Sequence, residues 1–339
     1  MSDELLQELR DSAQKAFPAD KLCPPRDEAW QLAAELGWLM ITLPEDQGGL
    51  GLHREAAVAV HYELGRVVST APLMPALLGL EGIAVANGLA DRDGWIERIV
   101  GGEYVPLNML PGSVEDSGGA LTGRLSGFFE ADMAGHVLAG IPGRYVLIPT
   151  DAPGVKLVER EVWDVSRRLF DVELSAFRPD PALVVAEGGA AKVLHDRISP
   201  VAQLAIAADS LGGASACLDM TVEYLKTRKQ FDRPIAMFQA LKHRCADLKT
   251  RIVAAEALLW QRAADESASV VDLGVTKALA NEVYMSMTEE AIQLHGGIGL
   301  TEEHNCHLFM KRAMLNAQLS GSADHWREAA GRQALAEFA

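Results

Sequence analysis

Hydrophobic residues recur at steps of three or four along the first hundred positions of the chain. Steps of this size place side chains on one face of a helix. A glycine-rich segment, Pro44–Gly51, separates two such stripes and is predicted to form a turn-containing loop. We therefore expect a helical N-terminal domain over residues 1–100, with stripes at Trp30, Leu32, Leu36 and Leu39 and at Ala56, Val60, Leu64 and Val67.

The last third of the chain carries longer stripes of the same kind. Their length and regularity are typical of helices that pack in a bundle. A further helix is expected after Ser322, which is suited to cap a helix beginning at Ala323. A C-terminal four-helix bundle over residues 196–339 is therefore predicted, its stripes passing through Leu204 to Leu225, Leu241 to Leu259 and Val275 to Leu294.

Between these regions the pattern changes near Gly101. Short apolar runs alternate with glycine and proline, which is typical of β-strands joined by turns. We predict a β middle domain over residues 101–195, with strands at Tyr145–Ile148, Val155–Val158 and Leu183–Val185. The expected fold class is mostly α with a β middle domain.

Composition narrows the classes of function. A net charge of -16 argues against nucleic acid or an anionic membrane as the main partner. No apolar run approaches the roughly 18 residues of a membrane span, and the N-terminus lacks the features of a secretory signal. A soluble cytoplasmic protein is expected.

The cysteines and four of the histidines do not have the sequence spacings that are usual in metal sites. The four cysteines lack a C-x-x-C pair, which favours reduced thiols over a disulfide framework. Core or surface positions explain the histidines at 61, 136, 195 and 243 better than ligation does. No metal site is expected.

One connection in the bundle concentrates positive charge in this acidic chain. The segment Arg228–Ile235 carries Arg228, Lys229 and Arg233, with Phe231 among them. A guanidinium suits bidentate binding of phosphate, and an aromatic ring can stack on a ligand ring. A solvated loop whose Phe231 covers the end of the bundle explains the same residues, so both interpretations stay open.

A second segment, Gln293–His304, holds three glycines in four positions, at 296, 297 and 299. Gly296 is expected to end a helix as its C-cap. One cap needs one glycine, whereas additional glycines allow a ligand to approach the backbone. Helix termination and ligand binding are therefore both compatible with this segment.

In combination, these segments resemble the acyl-CoA dehydrogenase family over most of the chain. The resemblance rests on three groups of residues in the expected order. The first is N-terminal, the second surrounds Arg228, and the third surrounds Gly296. They read Leu36-Gly-Trp38, Pro44-Glu45, Gly48-Gly-Leu-Gly51 and Glu63-Leu-Gly-Arg66; then Arg228-x-Gln-Phe-x-x-Pro-Ile235, Phe238-Gln239 and Ala246-Asp247; then Gln293-x-x-Gly-Gly-x-Gly299.

The resemblance implies a helical domain, a β-barrel-like domain and a four-helix bundle that forms dimers and tetramers. It also implies FAD, an acyl-CoA substrate, α,β-dehydrogenation, and an electron-transfer flavoprotein as acceptor. A glutamate removes the α-proton in such enzymes. By the same resemblance, the residues that contact the adenine and pyrophosphate half of a neighbour's FAD are Arg228, Phe231, Gln239, Gln293, Gly296 and Gly297.

The chain departs from the family pattern where the catalytic glutamate is expected. Ser320 occupies one of the family's two base positions and Ala202 occupies the other. Asp209 is a fallback candidate for the base, but it lies about 10 Å further along the same helix face. No catalytic residue is therefore assigned to this chain.

The middle domain departs as well. Where the family has lysine and tryptophan around the flavin ring, this chain has Leu125 and Gly127, after Met109-Leu-Pro111. The hypothesis is a non-catalytic subunit of an α2β2 acyl-CoA dehydrogenase, resembling actinobacterial enzymes that act on CoA thioesters of steroid side chains. The alternatives are a self-sufficient dehydrogenase with an unusual base and a flavin-free scaffold.

Overall fold

The N-terminal region is helical in the computed structural model, which describes residues 2–337. The glycine-rich loop lies between its second and third helices, where Gly48 and Gly51 adopt positive φ angles of 82° and 58°. Side chains disfavour this conformation, which explains glycine at both positions. The helices are α1 (Asp3–Ala16), α2 (Arg26–Glu35), α3 (Arg54–Arg66), α4 (Leu73–Ala84) and α5 (Arg92–Val100).

The middle region forms two antiparallel sheets, which confirms the predicted β character. A four-stranded sheet has the order β1-β2-β6-β5, and a three-stranded sheet has the order β3-β4-β7. All three predicted strands exist, although the last begins one residue later than expected. The strands are β1 (Leu110–Ser117), β2 (Ala120–Phe129), β3 (His136–Ile141), β4 (Arg144–Pro149), β5 (Val155–Arg160), β6 (Leu169–Phe177) and β7 (Val184–Glu187).

The C-terminal region is helical, with one short hairpin. Two differences from the sequence-based expectation occur here. The first long helix begins at Gly189 and contains Pro200, and a helix that the stripes did not predict follows the glycine segment. The elements are α6 (Gly189–Thr227), β8 (Lys229–Gln230), β9 (Arg233–Pro234), α7 (Gln239–Ala264), α8 (Val270–His295), α9 (Cys306–Gln318) and α10 (Ala323–Glu337).

Helix α6 is the one helix in the described residues long and apolar enough to cross a membrane. However, 94% of its most apolar window is buried inside the protein. A core helix of a folded domain has these properties, and burial therefore accounts for its composition.

The chain divides into two compact units. One comprises Met1–Pro24, Ala57–Ser69 and Gln203–Ala339, and the other comprises Pro25–Ala56 and Thr70–Ala202. The first unit has its own core, in which apolar side chains of α6, α7, α8 and α9 pack together and Tyr284 and Met287 are fully buried. The second unit contains both sheets of the middle region. The boundaries 1–100, 101–195 and 196–339 stay a prediction.

Candidate functional site

The positively charged connection is a β-hairpin at the end of α6. Phe231 and Asp232 occupy its two-residue turn with φ angles of 55° and 59°. Two positive φ values in succession define a type I′ turn, which matches the twist of the paired strands. The hairpin is closed by the Ile235 N–H, which donates to the Arg228 carbonyl at 2.8 Å. The turn therefore holds Phe231 in a strained backbone conformation that bulky residues rarely adopt.

The side chains of this hairpin point into solvent. Phe231 is 84% exposed, and its ring meets the edge of the Phe238 ring at a centroid distance of 6.0 Å. Arg233 stacks over Phe238 at 4.2 Å. Within residues 2–337, no ion pair or side-chain hydrogen bond involves the exposed Arg228. Phe231 therefore does not cover the end of the bundle in the first compact unit, contrary to one of the two interpretations of this segment.

The glycine segment begins where the sequence predicted that a helix ends. Gly296 caps α8 with φ 66° and ψ -141°, a conformation that belongs to glycine. A Cβ at Gly296 or at Gly297 would meet nothing within 4 Å, whereas one at Gly299 would lie 2.8 Å from the Ile292 carbonyl oxygen. Internal packing therefore explains glycine at 299 and backbone conformation explains it at 296. Neither reason applies to the exposed Gly297.

Tyr224 brings the hairpin and the glycine segment together. Its hydroxyl donates to the His295 carbonyl at 3.2 Å, and its ring packs on the His295 ring at 4.4 Å. Its own carbonyl accepts a hydrogen bond from the Arg228 N–H at 2.8 Å. One residue thus links the base of the hairpin to the residue preceding Gly296. Gln239 and Gln293 are both exposed, at the start of α7 and in the last turn of α8.

Ser320 lies in a tight turn between α9 and α10. Its φ is 51°, and its hydroxyl accepts a hydrogen bond from the Gln203 amide at 3.0 Å. The Trp326 indole N–H donates to its carbonyl at 3.0 Å. Ser322 caps α10 as predicted, since its hydroxyl accepts from the His325 N–H at 3.3 Å. The turn, residues 319–322, therefore contains no carboxylate.

The amine of Lys277 also supports this turn. The amine is buried and donates to the carbonyls of Leu319 and Gly321, both at 2.6 Å. Burial lowers its pKa from 10.5 to about 8. The two carbonyls on either side of Ser320 are thus bound to an amine whose pKa is about 8.

This lowered pKa predicts a pH dependence of stability. Between about pH 8 and pH 10.5 the unfolded chain keeps a proton that the folded chain has released. The free energy of unfolding contributed by Lys277 will therefore rise with pH across this window and be constant outside it. Denaturant titrations at several pH values, compared between the wild type and Lys277→Met, will measure the difference in slope. Lys226→Met, at an exposed position paired with Glu223, is the control and will keep the wild-type slope.

The other two candidate base positions also lack a free carboxylate. Ala202 is buried and has no ionisable group. Asp209 is buried and paired with Arg312, whose Nη1 lies 2.9 Å from its Oδ1. The Asn316 amide donates to its other oxygen at 2.7 Å. Both carboxylate oxygens of Asp209 are therefore engaged in structural bonds.

The two terminal regions match known domain families. Residues 3–103 match the acyl-CoA dehydrogenase N-terminal domain, and residues 200–335 match the acyl-CoA dehydrogenase C-terminal domain. The acyl-CoA dehydrogenase IpdE2 of Mycobacterium tuberculosis is 32% identical over 294 residues, which cover 86% of this chain and 82% of that protein. The chain belongs to the acyl-CoA dehydrogenase family.

Solved structures agree with this assignment. A variant of the Tcur3481–Tcur3483 steroid ACAD has a TM-score of 0.83 and 28% identity, and 97% of each chain is covered. The ChsE4–ChsE5 complex of Mycobacterium tuberculosis has a TM-score of 0.85 and 23% identity, covering 99% of this chain and 98% of that chain. The predicted acyl-CoA dehydrogenase fold and the likeness to steroid acyl-CoA dehydrogenases are confirmed.

Acyl-CoA dehydrogenases are FAD-dependent oxidoreductases that act on CH–CH bonds. The residues of the first unit fit the ADP half of this cofactor. They offer an exposed arginine whose guanidinium has no ion pair or hydrogen bond within residues 2–337, an exposed aromatic ring, and a glycine turn that is open to solvent. Phosphate binds well to such a combination of guanidinium and bare backbone.

The residues of the second unit fit the flavin ring poorly. Leu125, at the family's lysine position, is 1% exposed and belongs to the core of that unit. Gly127, at the tryptophan position, adopts a φ of 79°, and a Cβ there would lie 2.7 Å from the Leu110 side chain. Met109 is also buried. These positions serve packing and turn geometry within the β region.

Several residues of the site were not identified from the sequence. Tyr224 and Gln203 lie on predicted helix faces and carry no motif. Lys277 lies within a predicted apolar stripe, where a buried amine is unusual. Its position among apolar neighbours was the one available signal.

Proposed function

We propose that this chain is the non-catalytic subunit of a hetero-oligomeric FAD-dependent acyl-CoA dehydrogenase. The observation that carries the proposal is an asymmetry within the chain. The exposed groups suited to the ADP half of FAD are intact, whereas Ser320 and Ala202 replace the base and Asp209 is ion-paired. A catalytic partner of the same family would supply the base and the flavin-ring contacts.

In this proposal the chain binds and orients the cofactor of its partner. The Arg228 guanidinium would bind phosphate oxygens, and the exposed ring of Phe231 would pack on the adenine side. Gly296 and Gly297 would bring backbone atoms close to the pyrophosphate, with Gln239 and Gln293 donating hydrogen bonds at the rim. The bound FAD would supply hydride acceptance from the substrate β-carbon.

The assembly and the substrate are inferred from relatives. The Tcur3481–Tcur3483 steroid ACAD, at 28% identity, is named as a steroid ACAD and as a pair of gene products. An α2β2 assembly and a bulky CoA thioester, such as a steroid side chain, are proposed on this basis. An electron-transfer flavoprotein is proposed as the acceptor, and the cytoplasm as the location.

Flavin stoichiometry in the co-purified complex tests the proposal. We expect one FAD per pair of chains, and a chain that is colourless and without dehydrogenase turnover when purified alone. Two FAD per pair would contradict the proposal. A yellow chain that alone reduces an acceptor with an acyl-CoA would instead identify a self-sufficient enzyme.

The variant Arg228→Ala will weaken FAD binding to the complex by about tenfold or more, because it removes a charge-assisted hydrogen bond. Lys229→Ala, at the neighbouring exposed position of β8, is the matched control and will change binding little. Fluorescence titration of FAD into the stripped complex measures both. Unchanged flavin affinity in Arg228→Ala would favour a flavin-free scaffold.

A further inference from the structure

Three side chains of metal-ligating types lie close together next to the glycine segment. One ligand atom each from His295, His304 and Cys306 lies within 4.8 Å of the other two. His295 ends α8 and Cys306 begins α9, and the short 3-10 helix Gly296–Leu300 lies in the connection between them. We call these three residues the His–His–Cys cluster. All three belong to the first compact unit.

The ring orientation of His295 leaves a lone pair inside the protein. Its Nδ1 lies 2.7 Å from the Ala291 carbonyl oxygen. A carbonyl only accepts, so Nδ1 carries the proton and Nε2 is the nitrogen with the free lone pair. His295 is 3% exposed, and Nε2 has no hydrogen-bond partner within residues 2–337. Metal-ligating histidines commonly show this arrangement, in which the other ring nitrogen donates to a backbone carbonyl.

His304 directs a nitrogen at the sulfur. Its Nδ1 lies 2.9 Å from the Cys306 Sγ and also accepts from the Cys306 backbone N–H at 3.4 Å. An acceptor at Nδ1 has its lone pair on the side of the thiol. The cysteine is fully buried. The donor set therefore consists of two imidazole nitrogens and one sulfur.

The rings are held in place by stacking. The ring centroids of His295 and His304 are 4.1 Å apart, and the Tyr224 ring contacts both. His304 is half-buried and is thus the ligand with room to move. Tetrahedral zinc with Zn–N of about 2.0 Å and Zn–S of about 2.3 Å places its ligand atoms about 3.5 Å apart. Each distance between two ligand atoms therefore has to shorten by at most about 1.3 Å, from 4.8 Å or less, to reach that geometry.

We propose that the His–His–Cys cluster binds one soft divalent cation of the zinc class. Nε2 of His295, Nδ1 of His304 and Sγ of Cys306 are the protein ligands, and water or an external ligand completes the tetrahedron. Imidazole and thiolate select such ions over magnesium and calcium. The cation joins the end of α8, which carries Gly296 and Gly297, to the start of α9. This site stands independently of the proposed subunit role.

Cobalt(II) is the probe for the test, since it reports its ligands by absorption. The full chain, co-purified with its partner if it is insoluble alone, is stripped with a chelator and titrated with Co²⁺. We expect each copy of this chain to bind one Co²⁺ ion at saturation. The bound ion will show a near-ultraviolet thiolate-to-metal band. Zn²⁺ will displace the cobalt, because a tetrahedral site with thiolate and imidazole ligands is typical of zinc.

Two variants and two matched controls decide the outcome. Cys306→Ser will abolish the thiolate band, and His304→Gln will weaken Co²⁺ binding about tenfold or more. His304 is half-exposed, so His304→Gln remains informative if the cysteine variant does not fold. Cys245→Ser and His243→Gln, both on α7, will behave like the wild type. A saturated sample without the thiolate band, or wild-type binding by His304→Gln, would overturn the proposal and leave a packing role for the cluster.

Discussion

Replacing Arg312 by methionine will lower the free energy of unfolding by about 3–5 kcal/mol. The side chain of Arg312 is 1% exposed. Its guanidinium donates to Asp209 at 2.9 Å and to the Ser69 carbonyl at 2.8 Å. Methionine fills a similar volume but leaves the buried Asp209 carboxylate without its cation. A buried charge that loses its partner is strongly unfavourable in a medium of low dielectric constant.

A surface ion pair provides the matched control. Arg327 pairs with Glu282 on the exposed side of α10 and is itself 56% exposed. Arg327→Met will change the free energy of unfolding by less than about 1 kcal/mol, because water screens exposed pairs. Urea denaturation followed by circular dichroism measures both variants. Equal losses would show that Asp209 does not depend on Arg312 for its compensation.

A double variant separates the two parts of this effect. In Arg312→Met/Asp209→Leu the unpaired carboxylate is absent, and a large part of the lost stability should return. The same network bears on function, because Arg312 and Asn316 occupy both carboxylate oxygens of Asp209. This supports the proposal that the base comes from a partner chain.

The regular stripes allowed the main helices to be predicted, because their periodicity reports burial directly. The start of α6 was not predictable in this way. Proline usually marks the beginning or end of a helix, and Pro200 stands in the interior of this one. The chain from Gly189 to Ser199 continues the same helix, so tertiary packing outweighed the local signal. Helix α9 was missed because it follows directly on a segment interpreted only through its glycines.

The exposed cofactor motif was predictable, whereas the buried polar clusters were not. Arg228 and Gly296 belong to short local patterns whose chemistry can be argued residue by residue. Asp209 and Arg312 are more than a hundred positions apart, and nothing local pairs them. The His–His–Cys cluster has spacings of nine and two residues, which match no usual metal motif. The expectation of no metal site rested on spacing alone, and the proposed cluster departs from it because the chain folds back after α8.

Replacing Gly212 by alanine will lower the free energy of unfolding by about 1–3 kcal/mol or more. A Cβ at Gly212 would lie 1.9 Å from the Tyr62 carbonyl oxygen, and one at Gly65 would lie 2.1 Å from the Asp209 carbonyl oxygen. Helices α3 and α6 therefore touch backbone to backbone at two reciprocal glycines. No flexible side chain can move aside there, so the methyl group must push the helices apart.

Gly331→Ala is the control, and we expect it to change the free energy of unfolding in the opposite direction. Gly331 lies on the exposed face of α10, and a Cβ there would meet nothing within 4 Å. The same substitution will raise the free energy of unfolding by about 0.5–1 kcal/mol, because alanine favours the helix over glycine. Thermal or urea unfolding should thus move in opposite directions for the two variants. A stabilised Gly212→Ala would mean that α3 and α6 do not meet at these glycines, and that helix propensity alone sets the result.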